Sequence, residues 1–121
     1  GSMRYASAGH DPPLLLRKGK VTELAASGLI AGIEADEVYE SRHVDLRSGD
    51  VLCACTDGVA DATNFEQERF GRVRLRDALV RAGAAHEDPD DIVRGVLWDV
   101  RRFTGLSPLP DDQTLVMMRA N

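Results

Sequence analysis

Two apolar, strand-like runs in this chain each adjoin an aspartate, and this arrangement constrains the fold more than any other feature. The run Val51–Cys55 leads into Asp57, and Asp111 precedes the run Leu115–Met118. If the two runs pair antiparallel in one sheet, the end of the first lies beside the start of the second. Asp57 and Asp111 are then predicted to converge at one edge of the sheet, although many residues separate them in the chain.

Converging carboxylates are typical of a cation site. Carboxylates held close together repel each other unless a cation or a hydrogen-bond donor lies between them. Oxygen ligands of this kind suit magnesium, manganese or calcium better than zinc. Asp-Gly is also an ordinary turn sequence, so Asp57-Gly58 alone leaves open both a hard-metal site and a simple turn.

The composition is that of one soluble globular domain. The chain has 121 residues, of which 43% are apolar and 29% charged, enough for one domain with a hydrophobic core. A formal net charge of −5 with 5% aromatic residues argues against a nucleic-acid-binding surface. No apolar run approaches the roughly 20 residues needed to span a bilayer, and the first residues contain no apolar signal segment. We therefore expect neither nucleic acid nor a membrane as a partner.

The two cysteines lie close together in the first apolar run. On a strand, Cys53 and Cys55 would face the same side, at a spacing that gives poor disulfide geometry. Half of a metal site is one interpretation, but the chain has no second cysteine pair. The favoured prediction is two buried, unbonded thiols in a reducing, cytoplasmic setting.

The first half of the chain has the pattern of short antiparallel strands joined by short turns. The predicted strands are Arg4–Ala8, Leu14–Arg17, Val21–Leu24, Glu40–Leu46 and Val51–Thr56. Residues Ala25–Asp36 lack a clear period and are predicted to form a loop. Gly1-Ser2-Met3 has the character of an expression scar, so the predicted domain covers residues 4–121.

The second half changes to a helical period. A helix is predicted over Gly71–Ala82, and its arginine-rich surface could be a phosphate-binding face or, as we favour, a solvated helix face. Asp88 is a natural N-cap before Pro89, and Gly105 is a natural stop, which predicts a second helix between them. A last strand, Thr114–Arg119, completes an α+β fold of antiparallel strands with two helices packed on the sheet.

Five segments, taken in order, resemble one protein family. They are Tyr5–Leu15 (Y-x-x-A-G-H-x-P-P-L-L), Ser48–Leu52 (G-D-x-L), Thr56–Val59 (T-D-G-V), Asn64–Gly71 (N-x-x-G-E-x-F-G) and Asp111–Val116 (D-D-x-T-L-V). Together they resemble the SpoIIE/RsbU-like branch of the metal-dependent PPM (type 2C) serine/threonine protein phosphatases. The segments extend over nearly the whole chain in the family's order, so the resemblance is specific.

The resemblance implies a fold, a cofactor and a substrate. The fold is a β-sandwich flanked by helices, with two manganese (Mn2+) or magnesium (Mg2+) ions at its edge. The substrate is a phosphoserine or phosphothreonine protein, typically an anti-sigma-factor antagonist. By position, Asp57 and Asp111 match the family's metal-ligand aspartates. Asp112 matches a neighbour that is not usually a direct ligand, and Asp61 matches a position that holds a third, weaker ion in some relatives.

Parts of the family pattern have no counterpart in this sequence. The family's upstream D-x-x-G-H-G segment, whose aspartate bridges both metals, is absent. His10 belongs to another motif and is predicted to be structural or on the surface rather than catalytic. Ile30-Ala31 replaces the usual Pro-Leu, and Gln67 replaces a glycine. The sequence therefore predicts the C-terminal part of a phosphatase domain, a partial sandwich whose unpaired edges favour a homodimer.

Two functional hypotheses follow from these observations. In the first, the chain is part of a phosphatase with Asp57 and Asp111 as metal ligands, and its partner is a phosphorylated regulatory protein. In the second, the chain is a non-catalytic interaction module that keeps the fold but lacks the bridging ligand.

Overall fold

The computed structural model describes residues 1–25 and 27–121 of the chain. In chain order the elements are β1 (Ser2–Tyr5), β2 (Leu14–Arg17), β3 (Lys20–Glu23), β4 (Arg42–Asp45), β5 (Val51–Cys55), α1 (Asp57–Ala60), α2 (Gly71–Ala85), α3 (Pro89–Thr104) and β6 (Leu115–Arg119). The predicted loop Ala25–Asp36 contains no strand or helix over its described residues, and Ala26 lies outside them.

The described strands form two antiparallel sheets. One is four-stranded, in the order β3-β2-β5-β6, and the other pairs β1 with β4. β5 is therefore an internal strand, with β2 on one side and β6 on the other. Its register with β6 places Cys55 opposite Leu115 and Val51 opposite Arg119. The two apolar runs thus pair antiparallel, as the sequence predicted.

Helices α2 and α3 cover one face of the four-stranded sheet. The core lies between this face and the helices, and its members come largely from β2, β5 and the helices. The residues that β5 contributes alternate along the strand: Val51, Cys53 and Cys55. Leu79 of α2 and Ile92 of α3 are completely buried in this core. The predicted α+β fold, with antiparallel strands and two helices packed on the sheet, is confirmed.

The other face of this sheet is apolar and open along β6. Val116 and Met118 are 62% and 44% exposed, and they pair across the ladder with Ala54 and Leu52. Cross-strand partners lie on the same side of a sheet, so these residues form one apolar patch. Such a patch is typical of an interaction surface, and the expected homodimer stays a prediction.

Strand β1 lies nearer to the first residue than the sequence predicted. The strand Arg4–Ala8 is wrong in its bounds, because β1 spans Ser2–Tyr5 and its last paired residue, Tyr5, lies opposite Arg42. The Gly1 ammonium group also donates a hydrogen bond to the Leu46 carbonyl oxygen at 3.0 Å. Residues 1–3 therefore take part in the fold, and their origin as an expression scar stays a prediction.

The two long helices begin and end much as predicted. The side chain of Asp88 accepts a hydrogen bond from the Asp90 N–H at 2.8 Å, Pro89 is the first residue of α3, and Gly105 caps its end with a φ of 62°. Helix α2 continues to Ala85, one turn beyond its predicted end. No helix in the described ranges is both long and apolar enough to cross a membrane.

A buried aspartate fixes the turn that leads into β5. Asp50 is 3% exposed, and its carboxylate accepts hydrogen bonds from Arg17 Nε at 3.0 Å and from the Arg47 N–H at 2.8 Å. The hydrogen bond from Arg17, at the end of β2, holds the pKa of Asp50 below its ordinary value, although burial acts in the opposite direction. This ion pair therefore ties β2 to the turn before β5.

Candidate functional site

The two aspartate-bearing segments meet at the end of β5. The Thr56 N–H donates to the Thr114 carbonyl oxygen at 3.0 Å, and Thr56 Oγ1 accepts the Thr114 N–H at 3.0 Å. Gln113 Nε2 donates to the Gly58 carbonyl oxygen at 3.3 Å. These hydrogen bonds extend the contact between β5 and β6 beyond the ladder itself, and they hold residues 111–114 against the start of α1.

Gly58 lies where the two segments come closest. A Cβ at this position would overlap the carbonyl oxygen of Asp112, so only a residue without a side chain fits. Asp57-Gly58 does not form a simple turn, because it begins the short helix α1, in which Gly58 and Val59 are buried. The glycine is therefore required by the close approach of the Asp112 backbone.

Asp57 itself is exposed, at the first position of α1. It borders a small pocket of about 200 Å³. The other residues that line this pocket are Gly9, His10, Asp11, Cys55 and Thr56. The residues around the pocket therefore include one histidine and two aspartates, at the edge of the sheet where the sequence predicted a site.

Asp111 is brought to the same junction but does not line that pocket. It is exposed, and its Oδ1 accepts the Asp112 N–H at 2.8 Å. Carboxylate oxygens are suitable ligands for magnesium or manganese. Within residues 1–25 and 27–121, however, no three His, Cys, Asp or Glu side chains form a group that could hold a metal ion. The donor type fits a hard cation, but the number of side chains does not complete a site, and the metal-ligand role of Asp57 and Asp111 stays a prediction.

The sequence interpretation missed that His10 and Asp11 lie beside Asp57. His10 was expected to be structural or on the surface rather than catalytic; it is exposed, it lines the pocket, and its Nδ1 lies 2.8 Å from the Asp11 carbonyl oxygen. The antiparallel pairing of β2 with β5 explains why His10 and Asp11 lie there. Because β2 runs antiparallel to β5, with Leu14 opposite Cys53, the segment that precedes β2 reaches the edge where β5 ends.

Arg72, on α2, holds this wall of the pocket in place. Its Nη2 donates to the Pro12 carbonyl oxygen at 3.0 Å, and its Nη1 lies 3.6 Å from an Asp11 carboxylate oxygen. Its Nε also donates to Glu23 at 3.0 Å. Hydrogen bonds from Arg76 and then Arg72 hold the pKa of Glu23 below its ordinary value. The segment beside Asp57 is therefore fixed to both α2 and β3.

The remaining arginines of this region do not form one phosphate-binding face. Arg69 lies 3.3 Å from Asp61, the residue that matched a weaker ion position, so that carboxylate is ion-paired. Arg76 pairs with Glu23 on the sheet side. Arg74 and Arg81 face the groove between α2 and α3. The arginines of this region thus point in different directions, and Arg69 and Arg81, at 72% and 62% exposure, agree with the solvated helix face favoured from the sequence.

Cys53 and Cys55 are buried and unbonded on β5. Burial raises the pKa of the Cys53 thiol to about 12 and also raises the pKa of Cys55. Thiols of this kind are poor nucleophiles and poor metal ligands near neutral pH. The prediction of buried free thiols on a central strand is confirmed.

The arrangement of sheet and helices matches part of a PP2C-type phosphatase domain. The SiaA-PP2C domain of Pseudomonas aeruginosa matches this chain with a TM-score of 0.78 at 22% identity, over 99% of this chain and 46% of that one. Because the sequence identity is only 22%, this similarity is evidence for the fold alone and not for the function. The model of the SpoIIE family, stage II sporulation protein E, matches residues 1–121. The chain therefore belongs to the SpoIIE family, and its domain is of the SpoIIE/RsbU-like PPM phosphatase type.

Two curated relatives support this assignment. Protein IcfG of Synechocystis is 30% identical over 95 residues, which is 78% of this chain and 15% of IcfG. Phosphoserine phosphatase RsbU of Bacillus subtilis is 29% identical over 119 residues, which is 95% of this chain and 34% of RsbU. The chain thus spans about a third or less of the length of these relatives.

Proposed function

We propose that this chain forms part of the active site of a metal-dependent protein serine/threonine phosphatase, with Asp57 and Asp111 as ligands to manganese or magnesium. The junction at the end of β5 carries the proposal, because hydrogen bonds from Thr56 and Gln113 join the two family motifs there. Membership of the SpoIIE family and the similarity to a phosphoserine phosphatase support the reaction class.

The chain's own residues would position the ligands and shape the pocket. A bound divalent ion would activate a water molecule and hold phosphoryl oxygens. Burial of Val59 anchors α1 in the core, so the exposed carboxylate of Asp57 has a rigid base. Asp11 lies near Arg72, and we therefore assign it to the wall of the pocket. A complete metal site would need further ligands, from water, substrate or another part of the protein.

We further propose a phosphorylated regulatory protein, of the anti-sigma-factor antagonist type, as the substrate, in the cytoplasm. The support is the similarity to RsbU and the free thiols on β5, which suit a reducing compartment. A non-catalytic interaction module is the second candidate. It is favoured by one observation, namely that the described residues contain no group of three metal-ligating side chains.

Manganese binding, measured by isothermal titration calorimetry, tests the ligand assignment. Asp57→Asn and Asp111→Asn should each weaken binding at least roughly tenfold. Asp112→Asn is the matched control, since it removes the same charge from the neighbouring position. The contact of Asp112 with Thr56 is made by its backbone oxygen, which the substitution keeps. Equal manganese affinity in all four proteins would remove both aspartates from the site and favour the interaction module.

A further inference from the structure

A groove of about 520 Å³ lies between α2 and α3, and it shares no lining residue with the pocket beside Asp57. The charged residues that line it are Arg74, Asp77, Arg81, Asp99 and Arg102. Three guanidinium groups thus face two carboxylates, although the chain as a whole has a formal net charge of −5. The groove is a locally basic feature on an acidic protein.

Arg74 is held in a fixed position in this groove. Its guanidinium carbon lies 4.5 Å from the centre of the Phe103 ring, and Phe103 packs edge-on against Phe70 with ring centres 5.5 Å apart. Arg74 Nη1 also donates to the Arg69 and Phe70 carbonyl oxygens at 3.0 and 3.3 Å. One nitrogen is therefore anchored to the backbone. The guanidinium stacks on an aromatic surface, so little side-chain entropy remains to be lost on binding an anion.

Arg81 and Arg102 differ in how they are paired. Arg81 donates from both Nε and Nη2 to Asp99, at 3.3 and 2.8 Å, so its charge is already matched. Arg102 is exposed, and its guanidinium group makes no hydrogen bond or ion pair within residues 1–25 and 27–121. A partner could therefore pair with Arg102 without breaking an existing contact, whereas pairing with Arg81 would compete with Asp99.

An exposed aromatic residue lies about one helical turn from Arg102, which lines the groove. Trp98 is 63% exposed and precedes Arg102 by four positions on α3, which places the two side chains on neighbouring parts of the helix surface. Tryptophan and arginine are the residue types most enriched at the energetic centres of protein interfaces. The ring of Phe103 adds apolar surface inside the groove.

We propose that the groove between α2 and α3 binds an acidic segment of a partner protein. Carboxylates of that segment pair with Arg74 and Arg102, and one of its apolar side chains packs against Trp98 and Phe103. Charge complementarity carries the proposal, because the groove is lined by three arginines and two aspartates, and Arg81 is already paired with Asp99. The binding does not depend on catalysis at Asp57, and it is measured without turnover.

Trp98, the single tryptophan of the chain, supplies the signal for the test. A Glu-rich peptide with one leucine, added to the whole chain at low salt, should change the Trp98 fluorescence in a saturable manner. The same peptide with glutamine in place of every glutamate should give no change. Added salt should weaken the binding, because the contacts are partly exposed to solvent.

Two neighbouring arginines provide matched variants. Arg102→Gln should weaken binding of the Glu-rich peptide on the order of tenfold. Arg101→Gln removes the same charge from the same last turn of α3, but Arg101 does not line the groove, so binding should be unchanged. Circular dichroism checks that both variants are folded. Equal weakening by both variants, or equal binding of the glutamine peptide, would overturn the proposal. Tighter binding to anionic phospholipid vesicles than to the peptide would also overturn it in favour of a lipid surface.

Discussion

The carbonyl oxygen of Asp112 occupies the space that a Cβ of residue 58 would need, so Gly58 and Asp112 set how closely the two motif-bearing segments approach. The same oxygen lies 3.5 Å from Thr56 Oγ1. Both segments are therefore positioned by backbone contacts, and the aspartate side chains beside them stay exposed. The geometry of the candidate site therefore depends on Gly58, which has no side chain that could bind a metal or a substrate.

Gly58→Ala should destabilise the protein by about 1–3 kcal/mol, because the added methyl group overlaps a backbone atom that has little freedom to move. Helix propensity alone predicts the opposite sign, since alanine is favoured over glycine in a helix by up to about 1 kcal/mol. Urea unfolding at neutral pH measures the difference.

Gly83→Ala is the matched control for this prediction. Gly83 also lies in a helix, α2, but its added methyl group would meet only the end of the flexible Leu16 side chain. The loss of stability should therefore be smaller than for Gly58→Ala. A Gly58→Ala protein as stable as wild type would show that the Asp112 segment can shift, and that the junction is not rigid.

Asp50 should give the fold a defined dependence on pH. The pKa of Asp50 is lowered in the folded protein, chiefly by the hydrogen bond from Arg17. The ionised carboxylate therefore stabilises the fold above the ordinary aspartate pKa of about 4. This contribution is lost as the pH falls through the lower pKa of the folded state. Asp50→Asn should lower the free energy of unfolding by about 2 kcal/mol at neutral pH. The difference in this free energy between the variant and wild type should become smaller under acid conditions.

Urea unfolding midpoints at neutral and acid pH test this sign. Asp36→Asn is the control, because Asp36 is exposed and makes no ion pair among the described residues. The control should differ little from wild type at either pH. If the difference in unfolding midpoint between wild type and Asp50→Asn became larger as the pH fell, the assigned direction of the Asp50 pKa shift would be incorrect.

Cys53 and Cys55 should resist alkylation in the folded state. Both thiols are buried on β5, and the raised pKa of each leaves almost no thiolate under mildly alkaline conditions. Iodoacetamide labelling followed by mass spectrometry should show slow modification of the native protein. Rapid labelling is expected once guanidinium chloride is added. Fast modification of both cysteines without denaturant would contradict the central position of β5.

Most of the architecture could be predicted from the sequence because its signals are local. Alternation and short turns indicated the hairpin β2–β3, and the cap at Asp88 with the stop at Gly105 defined α3. The bounds of β1 could not be predicted, because Ser2 and Met3 are placed by pairing with Asp45 and Val44, far away in the chain.

The candidate site was predictable only in part for the same reason. The motifs located Asp57 and Asp111, and the antiparallel pairing of β5 with β6 brought their segments together. The roles of Gly58 and Arg72 depend on contacts with Asp112 and with Pro12. No periodicity or spacing reports such contacts, since they arise only when distant segments pack.

The apolar patch on β5 and β6 should support association of this chain. Val116 and Met118 lie on the open face of the sheet, and β6 is an edge strand. Edge strands with apolar side chains favour pairing with another chain, most simply as a two-fold dimer. Light scattering at micromolar concentration should show a dimer, and Val116→Lys should shift it towards the monomer.

Val73→Lys is the control for this prediction, because Val73 is similarly exposed, at 72%, but lies on α2. It should leave the association unchanged. A well-folded wild-type protein that is strictly monomeric would show that the open face of the sheet does not drive association of this chain.

Residues 1–121 alone should release little or no phosphate from a phosphoserine protein, even with excess manganese. A two-metal hydrolase activates its water only when enough ligands hold both ions, and the described residues contain no group of three such side chains. The assay is phosphate release with and without manganese. RsbU of Bacillus subtilis serves as the positive control, since its name describes a phosphoserine phosphatase. Robust manganese-dependent activity of the 121-residue chain, abolished by Asp57→Asn but kept in Asp112→Asn, would show that these residues complete the site by themselves.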